Sequence, residues 1–320
     1  MDRKETFKAY SAWAAVCFFW GTTYLAIRIG VESIPPALFA GFRFLAAGLV
    51  FMPFLLAKGY KLPRGRELLD NAIIGIALLT IANGTVVWAE QWIPSSLAAL
   101  IVATLPFFMV GMEAALPHGD KLNLKKVLGI LVGFFGLVLL LWPDLQGSVD
   151  PNYLKGIIAM LIPPVAWGAG SLYSKYRNLK SHPFMGAAVQ MIVAGLVLIV
   201  VGSIAGEFSR LHFSAKGLAA ICYLLVFGSI IGYGSYIYAL AKLPASIVSM
   251  YAYINPVIAV SLGWLILNER LDWMVAAATL IIVAGVMLVK TAPQQKTAAA
   301  PVKKVEVTNF AQKEEPLEAA

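Results

Sequence analysis

The segment PSSLAALIVATLPFF (94–108) has a counterpart in PASIVSMYAYINPVI (244–258), 150 residues further along the chain. Three identical residues at matching places carry the resemblance. They are Pro94, Ser96 and Pro106, which fall on Pro244, Ser246 and Pro256. Both segments belong to long apolar runs with a proline near the middle, so they predict two copies of one membrane element.

Two weaker matches extend this repeat to most of the chain. FFWGTTY (18–24) resembles VAWGAGS (165–171) at a spacing of 147 residues. GLVLLL (136–141) resembles GVMLVK (285–290) at a spacing of 149 residues. We therefore predict two repeats, which cover residues 10–142 and 154–290.

The composition is that of a membrane protein. Of the 320 residues, 60% are hydrophobic and 13% are charged, and the mean hydropathy is +0.78. Soluble domains have about 45–50% apolar and about 25% charged residues. The net charge of +8 would also suit a nucleic-acid partner, but the basic residues lie in short loops between apolar runs, as in membrane proteins. We expect a lipid bilayer around the chain and no nucleic-acid partner.

Ten apolar runs are long enough to cross a bilayer core about 30 Å thick as helices. They cover about residues 10–30, 36–57, 70–90, 95–117, 124–142, 154–175, 184–206, 216–239, 245–267 and 272–290. Backbone groups in lipid must be hydrogen-bonded within their own segment, which favours helices. The sequence therefore predicts an all-α integral membrane protein with ten transmembrane helices. The first run lacks a small-residue cleavage site, so we expect it to be a retained helix.

The basic residues predict an orientation. If residues 1–9 are cytoplasmic, the segments on that side hold nineteen Lys and Arg residues and the outer segments hold five. This bias predicts two cytoplasmic termini. Residues 291–320 are rich in Ala, Pro, Lys and Glu, and we expect them to form a disordered cytoplasmic tail. With five helices in each repeat, the second repeat must be inverted relative to the first, as in many secondary transporters.

The paired prolines are the first candidates for a substrate site. A proline within a helix leaves the carbonyl of residue i−4 without its usual partner, here Val102 for Pro106 and Ala252 for Pro256. Helix interruptions at matching places of two repeats indicate a transport site near the bilayer midplane. A packing kink without a functional role is the alternative.

Aromatic and amide side chains occupy the middle of several runs. They suit the wall of a cavity for an amphiphilic organic solute, although Tyr and Trp near a membrane surface are commonly interface residues. The candidates for a substrate cavity, besides the two prolines, are Trp20, Tyr24, Asn83, Trp167, Tyr233, Tyr251, Tyr253 and Asn255.

Three charged residues within or at the ends of apolar runs are candidate charge partners. Arg43 is a candidate for binding a substrate anion; an ion pair with Glu32 or Glu90, or snorkelling towards the interface, are the alternatives. Glu90 ends the third run, and we expect it to reach the outer interface. Glu113 is a candidate for binding a proton or a cation, with snorkelling or a pair with Lys121 as alternatives.

The sequence lacks the common enzyme motifs HExxH, GxSxG, GxxxxGK and GxGxxG. His118, His182 and His212 fall in predicted loops, and Cys17 and Cys222 lie in apolar runs without a CxxC spacing. We expect no catalytic residues, no metal and no cofactor. Without a phosphate-binding loop, transport would be passive or driven by a gradient.

Three stretches resemble the EamA family within the drug/metabolite transporter superfamily. They are FFWGTTYLAIRIGVESIPPALFAGFRFLAAG (18–48), WAEQWIPSSLAALIVATLPFF (88–108) and YAYINPVIAVSLGWLILNERL (251–271). The resemblance implies ten helices in inverted repeats, cytoplasmic termini, a bacterial plasma-membrane location and export of metabolites, amino acids or drugs by alternating access. It also implies a central cavity, to which it adds Thr104. NERL (268–271) fits the family's acidic turn, whereas HGDK (118–121) offers only Asp120 as an approximate counterpart.

Two other functions are weighed against a secondary active exporter of small molecules. An uptake or exchange carrier for a phosphorylated or nucleotide-linked metabolite would need several Lys or Arg residues at membrane depth. An intramembrane enzyme or assembly factor would need paired Asp or His residues there. The substrate, the coupling ion, the direction of transport and the oligomeric state stay open at this stage.

Overall fold

The computed structural model describes residues 3–116, 121–146, 150–177, 179–269 and 273–292. Within these ranges all regular elements are helical. We number the main helices α1 (Arg3–Val31), α2 (Pro36–Ala57), α3 (Arg66–Ala89), α4 (Ser95–Ala115), α5 (Leu124–Gln146), α6 (Pro151–Arg177), α7 (Pro183–Ile204), α8 (Ala215–Lys242), α9 (Ala245–Val248 and Tyr251–Leu267) and α10 (Trp273–Lys290). A short 3₁₀ helix, Glu207–Arg210, joins α7 to α8.

Seven of these helices, α1–α4 and α6–α8, are long and apolar enough to cross a membrane. In the same described ranges, α9 and α10 contribute the shorter apolar segments Ile254–Leu267 and Trp273–Val289, and α5 has 23 residues. The all-helical prediction is therefore confirmed, while ten membrane crossings stay a prediction. Asp120 and the predicted tail after Ala292 lie outside the described residues.

α1 begins at Arg3, seven residues before the predicted start of the first run at residue 10. The early start has a local reason. Residues 3–10 contain Lys, Glu and Ala, which favour helices, and Lys8 forms an ion pair with Glu5 one turn earlier at 3.3 Å.

The two halves occupy equivalent places in the fold. α2 packs on α7, and α5 packs on α10. The contact of α1 with α9 is matched by the contact of α6 with α4, and that of α1 with α8 by that of α6 with α3. Exchanging α1–α5 for α6–α10 therefore leaves this set of neighbours unchanged, as the sequence repeat predicts.

Glycines permit the closest helix contacts. A Cβ placed on Gly195 of α7 would lie 2.7 Å from Cα of Leu45 in α2. One placed on Gly129 of α5 would lie 2.6 Å from the carbonyl oxygen of Gly285 in α10. Small residues at such crossings let two backbones approach each other, which is a main source of helix association in membranes.

The helix breaks differ from the prediction made for the prolines. α4 is interrupted at 103–104, and Pro106 is near the start of the following segment, Leu105–Ala115. α9 is interrupted at 249–250, and Pro256 lies inside Tyr251–Leu267. The break in α4 is next to Pro106, whereas the break in α9 lies six residues before Pro256, so the two breaks are not at matching places. Proline is well tolerated in the first turn of a helix, and transmembrane helices accommodate it internally.

The features that do match are π-helical segments in the third helix of each half. Ile76–Asn83 lies in α3 and Leu224–Tyr233 lies in α8. A π-helical turn is wider than an α-helical turn and is frequent at functional sites. The sequence analysis did not predict these segments.

Candidate functional site

A narrow cavity lies between the two halves, with about 590 Å³ of space between atoms when the solvent at its mouth is included. It is bounded by helices of both halves, namely α1–α4, α6, α8 and α9. The lining residues are Trp20, Thr23, Tyr24, Ile27, Arg43, Phe44, Leu79, Ala82, Asn83, Val86, Val102, Pro163, Trp167, Gly228, Tyr233, Tyr251 and Asn255.

Aromatic rings form one wall of this cavity. The ring centre of Trp20 lies 5.2 Å from that of Trp167 and 5.0 Å from those of Tyr236 and Tyr251. Two of these contacts are edge-to-face, which is a favourable arrangement of ring quadrupoles. The indole nitrogen of Trp167 donates to the Tyr236 hydroxyl at 2.9 Å. The wall is therefore apolar in character, with the polar edge of Trp167 bonded within the protein.

Seven of the predicted cavity residues line the cavity, and so does Arg43 among the predicted charge partners. The seven are Trp20, Tyr24, Asn83, Trp167, Tyr233, Tyr251 and Asn255. Thr104 is buried, and its hydroxyl donates to the carbonyl of Ile101 at 2.7 Å. Pro106 and Pro256 are buried outside the lining, and the side chain of Tyr253 lies outside the described part. Tyr236 was not predicted; it lies outside the lining and supports Trp167 through the hydrogen bond described above.

The π-helical segment of α8 accommodates Trp20. The indole nitrogen of Trp20 donates to the carbonyl of Gly228 at 3.0 Å. A Cβ on Gly232 would lie 2.5 Å from the same nitrogen. Trp20 can therefore lie against α8 only because residue 232 is a glycine.

Asn255 connects α9 to α1. The side-chain amide is assigned so that its nitrogen faces hydrogen-bond acceptors. In this orientation the nitrogen donates to the carbonyls of Cys17 at 3.0 Å and Tyr251 at 3.1 Å. The bond to Cys17 crosses between the first and second halves. Asn255 thus holds the cavity wall together as well as facing the cavity.

Arg43 is the cation of the cavity lining and is 3% exposed. Its Nε donates to the Ser229 hydroxyl at 2.9 Å, and its guanidinium carbon lies 4.6 Å from the ring centre of Phe44. Its Nη1 atom is buried without a hydrogen-bond partner. Neither of the predicted partners, Glu32 or Glu90, forms an ion pair with it in the described part of the chain.

A second cavity, with about 650 Å³ of empty space, lies among α3, α6, α7 and α8. Gln190 lines it and accepts a hydrogen bond from the Tyr233 hydroxyl at 2.6 Å. The Gln190 amide nitrogen donates to Oδ1 of Asn71 at 2.8 Å. Tyr233 lines the first cavity and bonds to a residue of the second, so this tyrosine stands between the two spaces.

In each half, a basic side chain of the first helix donates hydrogen bonds to carbonyl oxygens at the C-terminal end of the third helix. Arg28 of α1 donates from Nη1 to the carbonyl oxygens of Glu90 and Gln91, the latter at 2.9 Å. Lys175 of α6 donates to the carbonyl of Leu240 at 2.9 Å and to that of Leu243 at 2.8 Å. Arg28 and Lys175 are 147 residues apart, the same spacing that joins the tryptophan motifs. A cation at a helix C-terminus satisfies carbonyls that lack a helical partner.

Two carboxylates at the junction of α3 and α4 differ in their surroundings. Glu90 is fully buried, and neither of its oxygens has a hydrogen-bond partner, so the expectation that it reaches the outer interface is wrong. Packing of α1, α2 and α6 around the end of α3 leaves it no path to the surface. Glu269, from the NERL turn, accepts from the backbone of Ser95 and Ser96 at 2.9 and 3.1 Å and from the Ser95 hydroxyl at 2.7 Å. It therefore caps the start of α4.

Glu113 does not pair with Lys121. Its carboxylate accepts from the Tyr176 hydroxyl at 3.2 Å, and the Lys121 ammonium donates to the carbonyls of Ala114 and Leu116. Across the described ranges, no three His, Cys, Asp or Glu residues are grouped as metal ligands.

Comparison with known proteins places the chain among transporters. Residues 7–142 and 154–291 each match the EamA-like transporter family. The chain is 38% identical over 306 residues to the uncharacterized inner membrane transporter YedA of Escherichia coli (strain K12), covering 94% of this chain and 98% of that protein. It is 26% identical over 279 residues to the uncharacterized transporter YoaV of Bacillus subtilis (strain 168), covering 86% of this chain and 94% of that protein.

The fold is also seen in a solved crystal structure. It superposes with a TM-score of 0.66 over 90% of this chain and 98% of its own, at 22% sequence identity. The match of both halves to one transporter family, together with the full-length similarity to YedA, shows that this multi-pass membrane protein is a transporter rather than an enzyme and that it belongs to the EamA-like transporter family.

Proposed function

We propose that this chain is a secondary active exporter of small organic solutes, such as metabolites, amino acids or drugs, in a bacterial inner membrane. The observation that carries the proposal is the pair of cavities separated by Tyr233. One space is shared by both halves and is lined by Tyr233, and the other is lined by Gln190, to which the Tyr233 hydroxyl donates. A carrier that alternates between two access states needs a barrier of this kind that can be opened from either side.

The equivalent packing of the halves supports inverted repeats. Five helices in each half reverse the direction of the second half across the bilayer, and its contacts repeat those of the first. In this orientation the first cavity faces the outside and the second faces the cytoplasm. The substrate cavity is proposed to consist of the seven predicted lining residues and Arg43, with Tyr236 supporting Trp167.

A carrier for phosphorylated metabolites has less support. Such a substrate would bring two negative charges into a low-dielectric space, which several cations would have to balance. Among the described lining residues of the first cavity, Arg43 is the single cation. An intramembrane enzyme is excluded by the family.

Transport can be tested with purified protein in liposomes. Vesicles loaded with labelled amino acids, their toxic analogues or drugs should show saturable efflux that responds to an imposed proton or sodium gradient. Trp20→Ala and Asn255→Ala should lower this flux, because both residues form the cavity wall. Trp264→Ala is the matched control, since Trp264 is 55% exposed on the outer surface of α9. Absence of saturable flux for every solute would contradict the proposal, as would full activity of Trp20→Ala at equal protein levels.

The orientation has a separate test. Lys180→Cys lies between α6 and α7, on the proposed cytoplasmic side, and Ser209→Cys lies between α7 and α8, on the proposed outer side; both positions are exposed. A membrane-impermeant maleimide should label Ser209→Cys in intact cells and Lys180→Cys only after the membrane is opened. The opposite pattern would reverse the proposed orientation. Replacing Cys17 and Cys222 by serine removes background labelling.

A further inference from the structure

The Arg43 guanidinium has more hydrogen-bond donors than the protein satisfies. Nε is bonded to Ser229 and one face of the group lies against the Phe44 ring, but Nη1 is buried without a partner. An arginine side chain carries five N–H donors in a rigid fork that matches a carboxylate. Arg43 is one of the residues that line the cavity.

The carboxylates on neighbouring helices are engaged elsewhere or do not reach Arg43. Glu207 accepts from the backbone nitrogens of Ala37 and Leu38 at 3.3 and 2.9 Å, where it caps α2. Glu32 is exposed, and Glu90 forms no ion pair with Arg43. Removal of an ion from water costs several kcal/mol unless a counter-charge is present. A buried cation without a counter-ion among the described residues therefore points to a counter-charge supplied by a ligand.

The remaining walls limit what kind of anion fits. Trp20 and Tyr251 offer ring faces and edges, and Leu79 and Val86 add aliphatic surface. Asn83 presents a buried amide oxygen that lacks a partner. The single positive charge balances one negative charge, whereas a phosphate dianion would leave one charge without a partner.

We propose that Arg43 binds the carboxylate of an organic monoanion whose apolar part lies against the aromatic wall. This inference rests on the proposed transport function and names the substrate class of that cavity. Binding and transport are separable, so each can fail without the other.

Binding can be measured by titration calorimetry on the full chain in detergent with four probes that share a benzyl group. The probes are phenylacetate, phenylacetamide, benzylamine and benzylphosphonate. Because a charge-assisted hydrogen bond contributes more than a neutral one, phenylacetate should bind about tenfold tighter than phenylacetamide. Benzylamine should bind more weakly than the amide. Benzylphosphonate should bind more weakly than phenylacetate when both are measured at an alkaline pH at which the phosphonate is a dianion.

Variants of Arg43 isolate the charge. Arg43→Gln should remove the preference for phenylacetate over phenylacetamide, and Arg43→Lys should keep part of it, because a lysine retains the charge but not the fork. Asn83→Ala, in the same cavity, should change the affinity for both probes while leaving their ratio near that of the wild type. If Arg43→Gln does not fold, the wild-type ratios and Arg43→Lys still decide the question.

The outcomes separate this inference from the proposed function. Equal binding of the acid and the amide by the wild type, or tightest binding of benzylamine or benzylphosphonate, would overturn the carboxylate site. An unchanged ratio in Arg43→Gln would do the same. Anion-selective binding without flux in liposomes would retain the site and reject transport. Saturable flux of neutral or cationic solutes without an anion preference would retain transport and reject the site.

Discussion

The second helix of each half makes the same helix contact with different chemistry. AAGLVF (46–51) in α2 and VAGLVL (193–198) in α7 correspond at a spacing of 147 residues. At this spacing, Arg43 of the first half corresponds to Gln190 of the second half. Both side chains are buried, but Gln190 is bonded to Asn71 and Tyr233, whereas Arg43 has Ser229 as its hydrogen-bond partner and an unbonded Nη1.

This difference shows which parts of the repeat are free to diverge. The glycines that bring α2 and α7 together, Gly48 and Gly195, are retained in both copies. The polar residue about one turn away is an amide in one copy and a cation in the other. In the second half the amide completes a hydrogen-bond network beneath its cavity, and in the first half the cation leaves donors available in its cavity. Symmetry is thus a property of the scaffold, while selectivity resides where the copies differ.

The α2–α7 crossing should give the largest effect on stability. In Gly195→Ala the new methyl group would meet backbone at 2.7 Å from Cα of Leu45. In Gly48→Ala it would meet a side-chain atom, Cγ1 of Ile192, at 2.5 Å, with the nearest backbone atoms at 3.0 Å. We expect a loss of about 3 kcal/mol for Gly195→Ala and about 1 kcal/mol for Gly48→Ala. Thermal unfolding in detergent measures both. Gly111→Ala is the control, since no atom lies within 4 Å of its Cβ position. Equal losses at Gly48 and Gly195 would show that the crossing is symmetric in energy as well as in sequence.

The π-helical segment of α8 should be next in sensitivity. Gly232→Ala would place a methyl group 2.5 Å from the Trp20 indole nitrogen and displace the ring from its bond to Gly228. We expect a loss of about 2 kcal/mol and a clear fall in flux, because the displaced ring enters the cavity.

Gly234→Ala is the matched control for this variant, because its nearest neighbour lies at 3.6 Å. Wild-type stability of Gly232→Ala would mean that the Trp20 ring is not held against α8. Equal losses of stability in the two variants would show that a methyl group destabilises this part of α8 whether or not it contacts Trp20.

The sequence was sufficient for the plan of the fold but not for the shape of the helices. Ten apolar runs and the 150-residue repeat predicted the helices and their equivalence, because hydrophobic length and self-similarity are written directly in the residue order. The π-helical segments could not be predicted, since Ile76–Asn83 is as apolar as an α-helical stretch. The break in α9 was not predicted at its true place. A proline indicates which backbone hydrogen bond a helix lacks, but the packing of neighbouring helices decides where the helix is interrupted.

The site was predictable where a residue's type decided its role. Trp20 and Asn255 stand in the cavity lining because large aromatic and amide groups at mid-membrane need an internal surface. Arg43 was identified as a candidate, but its partner was not. The predicted ion pair with Glu90 is not formed, and Nε of Arg43 donates to Ser229. Ser229 has no sequence signal, because a serine in an apolar helix more often bonds to its own backbone.

The hydrogen bonds of Arg43 and Gln190 allow a direct comparison of the halves. Ser229→Ala removes the hydroxyl that accepts from Nε of Arg43, and Tyr233→Phe removes the hydroxyl that donates to Gln190. A bond to a charged group contributes about 1.5–3 kcal/mol and a neutral bond about 0.5–1.5 kcal/mol, so Ser229→Ala should lose more unfolding free energy.

Thermal unfolding of both variants and of the double variant measures this difference. The two losses should be additive if the sites are independent. A larger loss for Tyr233→Phe would mean that the neutral network of the second half contributes more to stability than the charged hydrogen bond of Arg43.

The smallest effect on stability, and the sharpest contrast between the halves, is expected at the two helix-end cations. A cation at a helix C-terminus contributes about 0.3–1 kcal/mol, so Arg28→Met and Lys175→Met should unfold close to the wild type. Their effects on access should differ, because Lys175 ties α6 to the end of α8 beside the second cavity and Arg28 ties α1 to the end of α3. Labelling of Ser174→Cys, which lines the second cavity, by an impermeant maleimide should be faster with Lys175→Met and unchanged or slower with Arg28→Met. Equal acceleration by both changes would mean that the two cations only stabilise helix ends, and that opening of one side is not coupled to closure of the other.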